Sequence, residues 1–184
     1  MEEIYSWGEL MEIVSGDSGE NLVYKTYLYH AYRMAEQSPD PSTQVGAVIV
    51  HPDFGPLSHG CNAPPQGIDV SDEILNSKDK YYYLEHAERN AIFDSMKAKY
   101  KPKGCTMYST WAACPDCARA IIASGIIKVT SHKEMYEKYS GEMKSIVDIG
   151  ISLMEQAGIE VVLWSGDVSK GKIKIRTSGK IWSP

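Results

Sequence analysis

The amino-acid sequence predicts an α/β fold, a three-layer αβα sandwich around one mixed five-stranded sheet. Short β-branched runs alternate with helical patterns along most of the chain, as expected where helices cover a sheet. The segment Val45-Gly46-Ala47-Val48-Ile49-Val50 carries no polar side chain, which marks a strand buried on both faces. With 184 residues there is room for one domain with a full core and little room for two. A single domain over 1–184 is expected, with an N-terminal helix over about 1–20, a core over about 21–164 and a tail over 165–184.

The elements follow in order. A first helix is expected from Ser6, where Ser6 and Glu9 make a capping box, to the break at Gly16-Asp17-Ser18-Gly19. A second runs from about Asn21 to Gln37 on Leu22, Leu28, Ala31, Met34 and Ala35. Ser38-Pro39-Asp40-Pro41 ends it, because a residue before proline avoids helical backbone. After the strand at Val45–Val50, a turn around Pro52-Asp53-Phe54-Gly55 leads to a second strand closing near Gly60-Cys61-Asn62. Residues 64 to about 82 form a polar excursion of a length that, in a compact domain, usually serves function.

A helix from about Glu85 to Lys97 and a strand Cys105–Ser109 come next. The helix after them starts at Pro115 and stops at Gly125, with proline at the first helical position and glycine just past the last. Strand Ile126–Ser131, helix Gly141–Ala157 closed by Gly158, and strand Glu160–Trp164 complete the alternation. In the tail, Lys172-Ile173-Lys174-Ile175-Arg176 alternates with period two, the pattern of an edge strand guarded by lysines.

Composition narrows the partners. A hydrophobic share of 43% with 23% charged residues is that of an ordinary globular protein, and a net charge of −5 argues against a long nucleic acid held by its phosphates. Twelve Tyr against two Phe points to polar pockets or subunit interfaces. The start Met1-Glu2-Glu3-Ile4 has neither the basic nor the apolar region of a signal peptide, and no apolar run approaches a membrane span. Four cysteines, two of them in a C-x-x-C, suit metal-bound thiolates in a reducing cytoplasm better than a disulfide framework. A cytoplasmic protein without membrane or stable nucleic-acid partners is therefore expected.

Two fragments carry chemistry: His86-Ala87-Glu88 and Cys114-Pro115-Asp116-Cys117, each at the start of a helix. Cysteines three apart at a helix start can point both sulfurs at one ion, with His86 adding a nitrogen from the facing helix. Structural zinc sites close with four protein ligands, whereas catalytic ones keep a position for water, so three ligands favour catalysis. Zinc lowers the pKa of a bound water to about 7, and both helix N-termini favour thiolate and hydroxide there. Glu88, two residues after His86 and not needed as a ligand, is placed to shuttle a proton. The competing reading is a structural zinc knuckle, which leaves Glu88 and the missing fourth ligand without a role.

Together the fragments form the H-x-E…C-x-x-C signature of zinc deaminases, and the chain resembles the deoxycytidylate (dCMP) deaminase family of cytidine-deaminase-like enzymes. Beyond the signature, the resemblance rests on Asp40 to Val50, Gly60-Cys61-Asn62-Ala63-Pro64, Lys80-Tyr81, His86 to Ile92, Gly104 to Tyr108 and Cys114 to Gly125. The long interval between Asn62 and His86 separates it from tRNA adenosine deaminases, in which that interval is short. The resemblance implies deamination of dCMP to dUMP with His86, Cys114 and Cys117 on one zinc per chain and Glu88 as proton shuttle. Residues 64 to 85 hold no Cys or His for a second zinc. It further implies a homohexamer activated by dCTP and inhibited by dTTP, each with Mg²⁺. Substrate or effector contacts are expected at Asn62 and Ala87, and at Tyr139 or Tyr136 near the phosphate. Arg89 stands where the family has Leu or Val, free to reach a phosphate or a neighbouring subunit, or to be solvated. Ala113 replaces the proline before the first metal cysteine, and Gly60-Cys61-Asn62-Ala63 lacks the aromatic and second glycine of the family's effector turn. The rival reading from the same fold is a deaminase of a base in nucleic acid or of another small cytosine or adenine compound; a third is a zinc-stabilised interaction module without chemistry.

Overall fold

The structure, a computed structural model, describes residues 7–97 and 101–184. The expected capping serine, Ser6, lies outside the described residues; the helix it would open, α1, spans Trp7–Ile13. α2 (Gly19–Ala35) is followed by an antiparallel pair, β1 (Gly46–His51) and β2 (Gly55–Cys61). The excursion after β2 holds two single-turn helices, α3 (Asp72–Leu75) and α4 (Lys80–Tyr83), before α5 (Ala87–Ser95). Then come β3 (Thr106–Ser109), α6 (Pro115–Ser124), β4 (Lys128–His132), α7 (Lys133–Tyr136), α8 (Gly141–Gln156) and β5 (Glu160–Trp164).

The sheet has five strands in the order β2-β1-β3-β4-β5, with β2, β1 and β3 antiparallel and β3, β4 and β5 parallel. The apolar β1 run explains the layers, because alternate side chains of a strand leave opposite faces. Val48 and Val50 join α1, α2 and Tyr108 in one core, while Ala47 and Ile49 join Ala87 and Ala91 of α5, Cys117 and Ile121 of α6 and Met154 of α8 in the other. Gly46 and Gly60 allow the helices to approach. A Cβ on Gly46 would lie 1.9 Å from the Ala31 carbonyl oxygen of α2, and one on Gly60 would lie 2.6 Å from the Ala91 nitrogen of α5.

The tail departs from the expected edge strand. β6 (Ile175–Thr177) pairs with β7 (Lys180–Trp182) in a separate two-stranded sheet. The period-two alternation holds, since Ile173 and Ile175 are fully buried against the α1–α2 core, but the partner is the next strand and not the main sheet. Among the described residues, no helix is long and apolar enough to cross a membrane.

Candidate active site

Register brings the functional segments to one end of the sheet. Gly46 at the start of β1 pairs with Cys61 at the end of β2, Ala47 with Ser109 at the end of β3, and Ser109 with Ser131 near the end of β4. The segments leaving these ends carry Asn62, Thr110 to Cys114, and Lys138 to Ser140. In sheets with parallel strands, ligand sites form at such carboxyl ends. The excursion is closed at its base, where Ala63 and Glu85 exchange backbone hydrogen bonds of 3.2 and 3.0 Å. That staple delivers His86 beside the end of β2.

His86 and Cys114 are the N-cap residues of α5 and α6, and neither side chain caps its own helix. Both are thereby free to face each other. His86 Nδ1 lies 3.6 Å from Cys114 Sγ and 3.4 Å from Cys117 Sγ. A tetrahedral zinc with ordinary Zn–S and Zn–N bonds holds its N and S ligands about 3.5 Å apart, so the spacing and the donor chemistry fit that ion. The electrostatics agree. The hydrogen bond from Cys117, with that from His86, pulls the Cys114 thiol down to about 4, while the same bond and burial push Cys117 up. A cation held between the two sulfurs would favour the thiolate form of both. Glu88, in the first turn of α5, is almost wholly buried, with its Oε2 3.6 Å from Cys117 Sγ. Burial raises its carboxyl above the ordinary range.

His86, Glu88 and Cys114 line a cavity of about 380 Å³, a size suited to a small ligand, with Cys117 buried behind them. Asn62 lines it too, but its amide is largely committed. Oδ1 accepts from Val45 N at 2.8 Å, and Nδ2 donates to the Thr43 carbonyl at 2.9 Å and to Asp40 at 3.3 Å. Asp40 in turn takes the Lys80 ammonium at 2.7 Å and the Ser42 amide at 2.8 Å. Both side chains of the Lys80–Asp40 pair are only 7% exposed, so α4 is tied to the 40–45 loop through a buried ion pair. Breaking such a pair strands a charge. Lys80→Met is therefore expected to cost about 3–5 kcal/mol, lowering the thermal midpoint by roughly 6–20 °C. Adding Asp40→Asn should restore much of it; a midpoint within about a degree of wild type would refute a stabilising role for the pair.

The remaining expected residues divide. Tyr139 lines the cavity, its hydroxyl donating to the Ala112 carbonyl at 3.4 Å and its ring edge-on to Trp111 at 4.7 Å. Tyr136 lies elsewhere, with its hydroxyl on Asp148 at 2.7 Å. Ala87 lines the cavity with a fully buried methyl. Arg89 neither projects freely into solvent nor lines the cavity. Its Nε donates to Glu85 at 2.6 Å, and Nη1 lies 3.8 Å from Cys117 Sγ, where a guanidinium offsets thiolate charge. Cys61 and Cys105 stand apart from the metal-type cluster, as free thiols whose acidity burial weakens. Sequence reasoning passed over Asp40, Thr43, Trp111, Lys138 and Ser178 as cavity residues. Asp40 lay within a segment noted for its resemblance, but nothing in local spacing links it to Lys80.

Residues 23–133 match the family model described as the cytidine and deoxycytidylate deaminase zinc-binding region. The chain is 35% identical over 146 residues to an uncharacterized deaminase in the luxG 3′ region of Aliivibrio fischeri, covering 79% of this chain and 96% of that one. It is 40% identical over 114 residues to mouse deoxycytidylate deaminase, covering 58% of this chain and 62% of that one, less than two thirds of the enzyme's length. Among solved structures, the apo dCMP deaminase of cyanophage S-TIM5 superposes with a TM-score of 0.61 at 25% identity, over 80% of this chain and all of that one. With the five-stranded mixed sheet and the His-Cys-Cys cluster at its carboxyl end, the family match over more than half the sequence has one reading: this chain belongs to the cytidine and deoxycytidylate deaminase family.

Proposed function

We propose that this protein hydrolyses dCMP to dUMP and ammonia as a single-domain zinc enzyme. The observation that carries the reading is the His86–Cys114–Cys117 cluster set beside the buried Glu88 at the wall of one nucleotide-sized cavity, lined by His86, Cys114 and Glu88. The likeness to deoxycytidylate deaminases supports the substrate, as does the long interval between Asn62 and His86. His86, Cys114 and Cys117 hold one zinc ion. Zinc, when bound there, supplies a water acidic enough to lose its proton near neutral pH.

The chain's own residues do the rest. Glu88 takes the proton from the water and delivers it to N3 of the cytosine as the water oxygen adds to C4. It then takes the second proton from the new C4 hydroxyl and hands it to the exocyclic nitrogen, the C4–N bond breaks, and ammonia leaves as the C4 carbonyl forms. A carboxyl held above its usual range by burial suits this work, because it must hold the proton between the two transfers. Ala87 and Tyr139 form cavity wall against the substrate. Asn62, with both amide hydrogens committed, offers the sugar only an acceptor at Oδ1. Arg89 stabilises the thiolate of Cys117 by its charge and helps to orient it. Tyr136, bonded to Asp148, is assigned no contact with substrate.

Activation by dCTP, inhibition by dTTP, Mg²⁺ carried with those effectors and a hexameric assembly belong to the same proposal and are supported by resemblance alone, while a cytoplasmic location is supported by the cysteine usage. One assay panel tests the core of it. Ammonia release is measured with cytidine, deoxycytidine, CMP, dCMP, dCTP and a short single strand, each with and without dCTP or dTTP and Mg²⁺. Highest kcat/KM on dCMP is the expected result, and preference for the single strand with a steep salt dependence would favour the nucleic-acid reading.

A further inference from the structure

The tail beyond residue 164 lies outside the family match at 23–133, yet it reaches the cavity. The two-residue turn between β6 and β7 is Ser178-Gly179, both at positive φ (50° and 75°), which matches the turn that closes tight hairpins. Its tip docks on the loop that leads into β1. Ser178 N donates to Thr43 Oγ1 at 3.2 Å, Gly179 N to the Ser42 carbonyl at 2.8 Å, and Arg176 exchanges 2.9 Å bonds with Gln44. Ser178 thereby lines the same cavity as His86 and Glu88. The hairpin is anchored from behind by Ile173 and Ile175 in the core, so it is a fixed wall.

The hairpin's second contribution is Trp182. Its ring lies 6.0 Å from Tyr32 and 5.8 Å from His132, centroid to centroid, and the Lys138 ammonium sits over it at 4.8 Å. Lys138 lines the cavity and has no carboxylate partner among the described residues. The other cationic side chain near that wall, Lys80, is already spent on Asp40. An anionic substrate entering a cavity that already contains Glu88 needs an uncommitted cation, and among the described residues that line it Lys138 supplies one. We propose that the C-terminal hairpin is part of the substrate site: Trp182 is a positioning residue that holds Lys138 at the cavity, and Lys138 receives the 5′-phosphate. This inference rests on the dCMP reading above.

The test uses the full-length, zinc-loaded enzyme and its Lys138→Gln, Lys138→Arg, Trp182→Ala and Trp182→Phe variants, assayed with dCMP and with deoxycytidine, which lacks the phosphate. Lys138→Gln is expected to raise KM for dCMP roughly 10- to 100-fold while changing kcat far less, and to collapse the preference for dCMP over deoxycytidine. Lys138→Arg should recover most of it. Trp182→Ala should shift the preference in the same direction by about 3- to 10-fold, with Trp182→Phe close to wild type. A structural role alone would lower both substrates together and would show in zinc content and thermal midpoint. Should Trp182→Ala fail to fold, the exposed Lys138 still decides. An unaltered preference for dCMP in Lys138→Gln overturns the inference and leaves the dCMP assignment standing. A wild-type enzyme with no preference for dCMP overturns that assignment, and this inference with it.

Discussion

Replacing Glu88 with Gln is expected to lower kcat for ammonia release from dCMP by roughly 10²- to 10⁴-fold while leaving zinc content and fold in place. The substitution keeps the shape of a side chain that is only 3% exposed and removes its ability to carry a proton. Glu88 is not one of the three donors that sit at metal spacing, so the metal should stay. Thermal stability should hold or rise, because the neutral amide does not incur the desolvation that burial imposes on a carboxylate. Metal analysis, a melting curve and an ammonia assay on one preparation separate these effects. Turnover within about tenfold of wild type would remove Glu88 from the proton path. Loss of zinc together with activity would mean that the carboxylate supports the metal site as well.

Much of this was legible in the sequence where local chemistry decides it. β5 runs Glu160–Trp164 as its β-branched run predicts, and α6 starts at Pro115 and stops at Gly125, whose φ of 78° is the left-handed cap that glycine supplies. The two metal-type fragments were legible for the same reason, each being a short motif fixed to a helix start. Their capping geometry was less so. His86 sits outside α5 as its N-cap, whereas the sequence suggested a helix from about Glu85. A cap is chosen by where a side chain is needed, and His86 is needed at the sulfurs.

What escaped the sequence depends on partners distant in the chain. Period two in the tail suggested an edge strand, and Ile173 and Ile175 are indeed on one buried face, but alternation does not name the neighbouring strand. The hairpin turn at Ser178-Gly179, which selects the partner, was the signal available. Arg89 could be read as solvated because its two partners differ in kind: Glu85 is one helical turn away, while Cys117 comes from another helix. Helix α7 follows β4 with no turn residue between His132 and Lys133, so no punctuation announced it. Asn62 was expected to address a ligand, and three local hydrogen bonds now account for most of its capacity.

Gly150→Ala is expected to disturb the metal site from the outside. Gly150 lies in α8, and a Cβ built on it would stand 2.3 Å from the Ala113 carbonyl oxygen and 3.0 Å from the Cys114 carbonyl carbon. Both atoms are backbone and cannot swing aside as a flexible side chain would. The resemblance predicts a proline ahead of the first cysteine, a ring that would stiffen the turn; here the residue is Ala113, and close contact with α8 braces the turn instead. Two effects oppose each other in the variant. Alanine stabilises a helix interior by about 1 kcal/mol over glycine, whereas overpacking a buried contact costs about 1–3 kcal/mol and occasionally more. The clash is with backbone at well under contact distance, so it should prevail, lowering the thermal midpoint by several degrees at about 2–4 °C per kcal/mol. Because the displaced atoms adjoin Cys114, zinc affinity should fall by roughly 10- to 100-fold, read by competition with a chelator. Ile149→Ala, at an exposed site on the same helix, provides the control and should leave affinity unchanged. If Gly150→Ala instead melts higher than wild type and keeps its zinc, helix propensity has won and α8 does not brace the cysteine turn.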